Sequence, residues 1–538
     1  MQATDRDPKA VSENERIAGR AAIVAAGTLA SRLLGLVRDQ AIAAMFSRAI
    51  TDAFFVAFTL PNLLRQLLGE GAVQSAVLPV LARTKEREGD AAARRFFANL
   101  RGLSLTLLTI VTALGVAFTE PLVALFAGGF RELPGQFEST VRLSRWVFPY
   151  IFFMGTAALG VAALNTYRRF TVTAFAPSLL NVAFIVGALL LPPWFGARGY
   201  DAALSLAVAA LVGGALQVVA QWPSLRAIGF FGVPRFNFSD PAVREVLRRM
   251  GPVMAGTGVY YLDVILARRF LSEQGLGAQS YFSWALRLCD FPQGIFVMAL
   301  QTAALPSLSR LAAAGDRAEL ARTFAFGMRL TLFAALPATF LSVALAEPLV
   351  VLLFQRGQFD ALSAHETARA LVAQGAGIWL VALSRQLVSL YYAVGDTRTP
   401  VLVAAVDLSA FLVLAWLLSS RLGHVGVSAA VTGASLVQAS LLWIGLRKHL
   451  PDRGEREIAG ALARTGAASM LAAVLAWLSL GGFSALGLGP SAQAVGAAAV
   501  GVFTFLASAV VLRSPELAMA LGPLRRRLSS KRGRSGSS

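Results

Sequence analysis

Long apolar segments, separated by short charged stretches, recur along the whole chain. Runs of about 20 apolar residues are long enough to span a bilayer as helices, and the period-two alternation of membrane β-barrels is not found. The pattern predicts an all-α integral membrane protein with about fourteen transmembrane helices. The predicted helices cover approximately residues 21–45, 52–82, 96–118, 139–165, 173–192, 201–225, 242–271, 277–309, 319–345, 362–393, 398–420, 425–446, 458–480 and 490–512.

The first two predicted helices carry charges within apolar surroundings. In the segment from Ala30 to Pro79 these residues are Arg32, Arg38, Asp39, Asp52, Arg65 and Glu70. A charge at membrane depth costs about 2.5–3.5 kcal/mol on insertion scales, so it persists mainly where it faces water or another charge. We therefore expect this segment to line a polar cavity inside a helical bundle.

The chain contains few charged residues, and they are unevenly distributed. Only 15% of the residues are charged, whereas soluble proteins have about 25%. The net charge is +19, and most Lys and Arg residues fall in alternate predicted loops, as cytoplasmic loops of membrane proteins do. The distribution predicts a multi-pass protein with both termini in the cytoplasm, and it does not require a nucleic-acid partner.

The two halves of the chain share a sequence repeat. AVLPVLAR at 76–83 corresponds to AALPSLSR at 303–310, and EPLVAL at 120–125 corresponds to EPLVVL at 347–352, with one separation of 227 residues. Six predicted helices fit in this interval, and an even number gives both copies the same orientation. The repeat predicts two pseudo-symmetric six-helix lobes plus two C-terminal helices. The predicted segments are a polar N-terminal tail (1–20), an N-lobe (21–226), a C-lobe (227–450), the last two helices (451–513) and a basic, disordered tail (514–538).

The charges inside the predicted helices favour binding of an anion between the lobes. Arginine presents a planar, permanently charged fork that suits phosphate groups. The predicted ligands of a phosphate-bearing substrate are Arg32, Arg38, Arg65 and Arg287. Asp39 and Asp52 are expected to form gate pairs, and Glu70 and Asp290 to orient the arginines. The alternative is a set of ion pairs between the lobes, such as Arg38 with Asp52.

Two other intramembrane carboxylates, Asp263 and Asp407, are candidates for coupling to Na⁺ or H⁺, and the alternative for each is hydrogen-bonded packing. Arg329 lies nearer a predicted helix end and is interpreted as snorkelling to the interface. Catalytic constellations, metal-ligand spacings and phosphate-binding loops are not found, and the single Cys289 excludes an internal disulfide. These observations predict a protein that is not an enzyme and has no metal or cofactor.

Several segments resemble the MurJ (MviN) family, the bacterial lipid II flippases of the multidrug/oligosaccharidyl-lipid/polysaccharide exporter superfamily. The most specific match is in the second predicted helix, where TDAFFVAFTLPNLLRQLLGEGA is read at 51–72. The other matching segments are SRLLGLVRD (31–39), AVLPVLA (76–82), FPYI (148–151), LNTYRRF (164–170), FAPSLLN (175–181), RLCDFPQGI (287–295) and DTRTP (396–400).

The resemblance implies fourteen helices, two six-helix lobes around a central cationic cavity, and a lipid-tail groove formed with the last two helices. It implies a transporter of the bacterial cytoplasmic (inner) membrane that serves peptidoglycan biosynthesis, cell wall and cell shape. The implied substrate is lipid II, undecaprenyl-diphosphate carrying a disaccharide-pentapeptide, moved outward by alternating access. The implied partners are lipid II, membrane lipids and cell-wall synthesis proteins, with membrane potential, Na⁺ or H⁺ as coupling candidates.

The resemblance assigns the same charges in the first, second and eighth predicted helices as the residue chemistry does, with two departures. Gln66 stands where many relatives have a second arginine, and Leu286 where they have an acid. The cavity charge is therefore expected to be balanced differently in this chain. Asp263 is similar to a carboxylate that binds sodium in some relatives.

Three other functions remain open on the sequence. A drug or cation antiporter, or another lipid-linked oligosaccharide exporter, would share the superfamily fold, although a cationic substrate would require cavity acids rather than arginines. A membrane enzyme acting on polyprenyl phosphates would require clustered acids for a metal. A scaffold for wall-synthesis proteins would depend on the basic tail.

Overall fold

The computed structural model describes residues 8–65, 73–237, 239–294, 298–450 and 452–519. These residues form α-helices and short connections, with no β-strand among them, so the all-α prediction is confirmed. The chain divides into two compact units. Unit 1 extends to Leu276 and includes Arg356–Gln358, and unit 2 comprises Gly277–Gln355 and the chain from Phe359 onward. The predicted lobe boundary at 226/227 stays a prediction.

Unit 1 contains nine helices within the described residues. They are α1 (Pro8–Met45), α2 (Arg48–Arg65), α3 (Val73–Ala117), α4 (Thr119–Ala127), α5 (Gln136–Val147), α6 (Tyr150–Thr166), α7 (Phe170–Gly196), α8 (Leu204–Ala227) and α9 (Pro241–Ser272). α7 packs between α1 and α8, and α6 packs against α3 and α8. A core of buried aliphatic and aromatic side chains, including Leu81, Phe96 and Phe97, joins α3, α6 and α9.

Unit 2 contains ten helices within the described residues. They are α10 (Ala278–Pro292), α11 (Met298–Ala314), α12 (Arg317–Ala344), α13 (Ala346–Phe354), α14 (Ala361–Gly375), α15 (Ile378–Ala393), α16 (Arg398–Leu422), α17 (His424–Gly445), α18 (Glu455–Ala485) and α19 (Pro490–Val511). α16 pairs with α17, and α18 packs against α12 and α19. Buried residues such as Phe324, Leu387 and Tyr391 form the main core.

Ten helical segments among the described residues are long and apolar enough to span a membrane. α1 and α9 fall outside this set although they have 38 and 32 residues, and both carry several charges. α2 and α10 are short, with 18 and 15 residues. The number fourteen therefore stays a prediction. Large apolar side chains on α16 and α19 face outward, with Trp416 69% and Phe503 75% exposed, as expected for surfaces in contact with lipid.

The sequence repeat is visible in the order of the helices. α4 and α13 have nine residues each, and each carries a glutamate, Glu120 or Glu347, in its first turn. α3 is interrupted at Gly89, with φ 83°, and the corresponding break between α11 and α12 is at Gly315, with φ 73°. In both places the glycine precedes an aspartate, Asp90 or Asp316. The two halves therefore repeat the same succession of long, broken and short helices.

The second predicted helix, 52–82, stays a prediction as a single element, because residues 66–72 lie outside the described part of the chain. α2 ends at Arg65 and α3 begins at Val73, while Glu70 lies outside the described residues. The predicted loop 83–95 is helical except at Gly89. Its sequence, RTKEREGDAAARR, is rich in good helix formers, so exposure and charge do not prevent a helix there. Only glycine adopts the left-handed backbone at the break without strain.

Candidate substrate-binding site

The clearest polar arrangement in unit 1 surrounds Arg38 on α1. Its Nε and Nη2 donate to Asp39 Oδ1 at 2.9 and 2.7 Å, and its Nη1 donates to Asn181 Oδ1 on α7 at 3.1 Å. The Asn181 amide donates in turn to the Ser31 carbonyl at 2.9 Å. The Arg38 side chain is 14% exposed and that of Asp39 is 4% exposed. A permanent positive charge is therefore held in a fixed position where α1 packs on α7.

An aromatic cluster fixes the other side of this arginine. The Arg38 guanidinium carbon lies 5.8 Å from the centre of the Phe184 ring. Phe184 makes edge contacts with Phe54 and Phe58 of α2, each with 5.6 Å between ring centres, and Phe58 also meets Tyr150 of α6 at 5.2 Å. Rings offer a negative face to a cation. The phenylalanines of the matching segment in α2 thus have a defined role, which is to hold α2 against the α1–α7 pair.

The two predicted gate acids are both buried. Asp39 is 3% exposed, and Asp52, near the start of α2, is fully buried. The hydrogen bonds of Arg38 run to Asp39 and Asn181, so the alternative that Arg38 pairs with Asp52 is not what the structure contains. Gln136 Nε2 donates to the Ala49 carbonyl at 2.9 Å, which ties α5 to the start of α2.

Arg65 is the last residue of α2, and its Nε donates to Asn62 Oδ1 at 3.0 Å. Both side chains follow Pro61, which lies inside α2 and removes one backbone N–H from the helix. Arg32 is half-buried on α1. Unit 1 thus places Arg32 and Arg38 on one helix and Arg65 on another.

Arg287 and Asp290 lie in unit 2, three residues apart on α10, and both are exposed. Asp407 is half-buried on α16, and Asp263 is half-buried on α9 of unit 1. Among the described residues, no group of three or more His, Cys, Asp or Glu side chains is placed to hold a metal ion. Cys289 is buried.

Two polar residues that the sequence reasoning did not single out take part in these contacts. Asn181 ends the FAPSLLN segment, where an amide within an apolar helix was the available signal. Arg268 lies near the end of α9 and is 7% exposed. Its Nε donates to Thr59 Oγ1 of α2 at 3.2 Å, and its guanidinium carbon lies 5.7 Å from the Phe55 ring centre.

A second, different arginine cluster lies in unit 2 at Arg329 on α12. Its Nε donates to Glu516 Oε1 at 2.8 Å and its Nη1 to Glu457 Oε2 at 2.9 Å. Ser514 Oγ donates to the other Glu516 oxygen at 2.6 Å, and Arg464 Nη2 lies 3.7 Å from Glu516. The Arg329 side chain is 12% exposed and is held by these carboxylates, and the interpretation that it snorkels to the interface stays a prediction. It ties α12 and α18 to the chain that follows α19.

Glu516 is fully buried and remains a carboxylate because of its partners. Burial raises the pKa of Glu516, but the hydrogen bonds from Ser514 and Arg329 outweigh this effect, so the pKa lies below its ordinary value. Since Glu516 follows the last membrane helix, this cluster lies at the end of the spanning region.

The DTRTP segment forms the turn between α15 and α16. Asp396 Oδ1 accepts hydrogen bonds from the backbone N–H groups of Arg398 and Thr399, and its Oδ2 accepts one from the Thr399 hydroxyl. The Thr399 bonds, followed by contact with His449, lower the pKa of Asp396 to about 2. The aspartate in this segment therefore caps α16, which is a structural role.

The comparisons with known proteins agree on one family. The sequence profile described as "Lipid II flippase MurJ" matches residues 42–488. The lipid II flippase MurJ of Burkholderia cenocepacia is 34% identical over 470 residues, which cover 86% of this chain and 90% of that protein. The probable lipid II flippase MurJ of Bdellovibrio bacteriovorus is also 34% identical, over 82% of this chain and 84% of its own length.

Solved structures show the same fold at lower sequence identity. A structure described as "Lipid II flippase MurJ, inward closed conformation" superposes with a TM-score of 0.75 at 20% identity, covering 91% of this chain and 98% of that one. An inward-facing multidrug resistance MATE transporter of the MOP superfamily gives 0.65 at 16% identity, covering 79% and 96%. These two neighbours establish the fold, and the sequence matches establish the relationship: this chain belongs to the MurJ family of lipid II flippases.

Proposed function

We propose that the chain is a transporter that moves lipid II from the cytoplasmic to the outer leaflet of the bacterial inner membrane by alternating access. Family membership supports the substrate and the absence of a catalytic role. The observation that carries the binding role is Arg38, a charge fixed by hydrogen bonds at a junction of helices in a membrane protein. The diphosphate of lipid II is the part of the substrate that such a charge would recognise.

Arg38 retains hydrogen-bonding capacity for a ligand. A guanidinium carries five N–H donors, and among the described residues three N–H groups of Arg38 donate to Asp39 and Asn181. Two N–H groups are therefore left for phosphate oxygens.

The other predicted ligands complete the proposal. Arg32, Arg65 and Arg287 would contact the same diphosphate during transport, Asp39 and Asp52 would form gate pairs, and Asp290 would orient the arginines. Glu70 is assigned the same role as an acid that orients arginine. The polyprenyl tail would lie in lipid or along α18 and α19, whose exposed surfaces are apolar. The termini are proposed to be cytoplasmic, as the distribution of basic residues indicates.

Asp263 and Asp407 are the proposed coupling residues. Both are half-buried carboxylates in long helices, and a charge crossing the membrane potential gains about 2.3 kcal/mol per 100 mV. Binding of Na⁺ or H⁺ by either acid would therefore bias the return of the empty transporter. Interaction with cell-wall synthesis proteins would deliver the product to its users.

The test replaces Arg65 with alanine and measures leaflet-resolved translocation of labelled lipid II in vesicles. We expect Arg65→Ala to abolish translocation, because the guanidinium cannot be replaced as a phosphate ligand, while the protein still inserts. Arg145→Ala is the matched control, since Arg145 is an exposed arginine on α5 and should leave the rate within about twofold. Normal translocation by Arg65→Ala would count against the proposal.

A further inference from the structure

The end of α9 carries two adjacent arginines in contrasting environments. Arg269 has a 41% exposed side chain and pairs with Glu273 one turn later on the same helix. Arg268 is 7% exposed. A buried arginine is costly unless its hydrogen bonds are satisfied. The buried Arg268 therefore requires contacts that satisfy its hydrogen bonds, whereas the exposed Arg269 can use water.

Arg268 contacts α2 at Thr59 and Phe55. Its Nε donates to the Thr59 hydroxyl at 3.2 Å, and that hydroxyl donates onward to the Phe55 carbonyl at 2.5 Å. The guanidinium also lies near the Phe55 ring, 5.7 Å from its centre. Phe55 and Thr59 are four residues apart, so both lie on one face of α2. Asp52, which is fully buried, lies on the same face one turn earlier.

The end of α9, from which Arg268 extends, is held by a close contact with the Gly128–Glu132 turn. The Gly129 N–H donates to Ser272 Oγ at 3.2 Å, in the short 3-10 turn Gly128–Glu132. A Cβ at Gly129 would lie 2.5 Å from the Ser272 carbonyl oxygen, which shows how closely the two backbones approach. Arg268 therefore extends from a helix end that is itself held in place. Its hydrogen bond to Thr59 fixes the position of Thr59 relative to that helix end.

Thr59 lies two residues before Pro61, where the hydrogen bonding of α2 is interrupted. Pro61 is inside the helix, where it removes a backbone hydrogen bond and loosens the ladder at that turn. Arg65 lies beyond Pro61, and its own hydrogen bond is to Asn62 on the same side of the proline. The part of α2 before Pro61 is thus attached to α9, and the part after it carries the predicted phosphate ligand.

We infer that Arg268 is a positioning residue for lipid II translocation, which fixes the first part of α2 against α9 and thereby sets the position of Arg65. The inference rests on the proposed role of Arg65. A ligand displaced by as little as 1 Å can cost about a hundredfold in rate. Loss of the contact between Arg268 and Thr59 is therefore expected to affect transport, although in this proposal Arg268 itself does not contact the diphosphate.

The experiment measures labelled lipid II translocation in vesicles and lipid II affinity in detergent for four variants. Arg268→Ala is expected to weaken affinity about tenfold and to slow translocation at low lipid II density. Thr59→Val, which removes only the hydroxyl, is expected to have about a threefold effect, consistent with one hydrogen bond of about 0.5–1.5 kcal/mol. Arg268→Lys retains the charge and a donor and should recover part of the affinity. Arg269→Ala is the matched control and should behave as the unchanged protein.

A double variant separates positioning from general stability. If Arg268 acts through Arg65, adding Arg268→Ala to Arg65→Ala should weaken lipid II affinity no further, since residues that act as a unit are not additive. Full additivity, or wild-type affinity in both Arg268→Ala and Thr59→Val, overturns the inference. Should Arg268→Ala fail to fold, Thr59→Val decides the outcome. Normal transport by Arg65→Ala would instead overturn the proposed function, so the two failures are distinguishable.

Discussion

Arg38 in unit 1 and Arg329 in unit 2 are both largely buried arginines on long helices, yet their partners differ. Arg38 shares one oxygen of one carboxylate and takes a neutral amide as its other partner. Arg329 bonds two carboxylates, Glu516 and Glu457, and Arg464 approaches the first of them. Arg38 thus has two N–H groups outside these bonds, which the proposed function assigns to a ligand, whereas Arg329 is paired with two carboxylates within the protein.

The difference shows that burial alone does not identify a binding arginine. Removing a partner of a buried ion pair is strongly destabilising because it leaves an uncompensated charge. Removing a neutral amide from an arginine that also faces a ligand disturbs the geometry of the ligand site instead. We therefore expect substitutions at the two clusters to separate stability from transport, and the predictions below follow from the largest expected effect to the smallest.

The largest effect is expected for Glu516→Ala. It leaves Arg329 without its buried partner, and it should lower the free energy of unfolding by about 3 kcal/mol. Glu457→Ala is the matched control, because Glu457 bonds the same arginine but is 61% exposed, and exposed pairs contribute less than about 1 kcal/mol. Unfolding of the purified protein in detergent measures both. Equal losses for the two variants would show that the cluster is not a buried structural pair.

An intermediate effect is expected for Asn181→Leu, and it should appear in transport rather than in stability. The substitution removes the acceptor of Arg38 Nη1 and the donor to Ser31, so the guanidinium is no longer held by α7. A hydrogen bond to a charged group contributes about 1.5–3 kcal/mol, which predicts a tenfold or greater loss of lipid II affinity. Ser178→Ala is the control, one turn earlier on α7 with a buried hydroxyl. An unchanged affinity in Asn181→Leu would remove Asn181 from the site.

The smallest effect concerns the pH dependence of stability. The pKa of Glu516 is lowered in the folded protein from an ordinary value of 4.5. The carboxylate therefore stabilises the fold above that value, and the stabilisation is lost as the pH falls through the lowered pKa. The difference in unfolding free energy between the unchanged protein and Glu516→Gln should shrink on acidification. A constant difference would contradict this assignment. Asp396 acts in the same direction in both proteins, so the comparison isolates Glu516.

The fold class followed from the hydrophobic runs, because helices in contact with lipid require long apolar segments that are visible in the sequence. The repeat was equally accessible, since EPLVAL and EPLVVL occupy corresponding short helices. The helical structure of 83–95 was not accessible, because charged segments of good helix formers resemble loops on a hydropathy scale. Gly89 was the available sign of the break.

The charges of the candidate site were identified from the sequence, and their role as ligands stays a prediction, whereas their hydrogen-bond partners were not predictable. Arg38 and Asp39 were identified because an intramembrane charge is rare, but the role of Asn181 depends on a contact across 143 residues of chain. Arg268 and Arg329 show the limit most clearly. Arg268 lies near the end of α9 and Arg329 near the middle of α12, and the sequence does not determine whether such an arginine extends to the interface or turns inward to a partner on another helix.

The breaks at Gly89 and Gly315 have a consequence beyond the helices they separate. Each glycine has a left-handed backbone and is followed by an aspartate, yet Asp316 caps α12 by accepting from the Glu319 N–H, whereas Asp90 accepts from the Tyr167 phenol. Both breaks have a glycine with positive φ, while the acid that follows it has a different partner in each half. The first half of this chain thus serves as an internal reference for the second, distinguishing what folding demands from what each copy has been free to change.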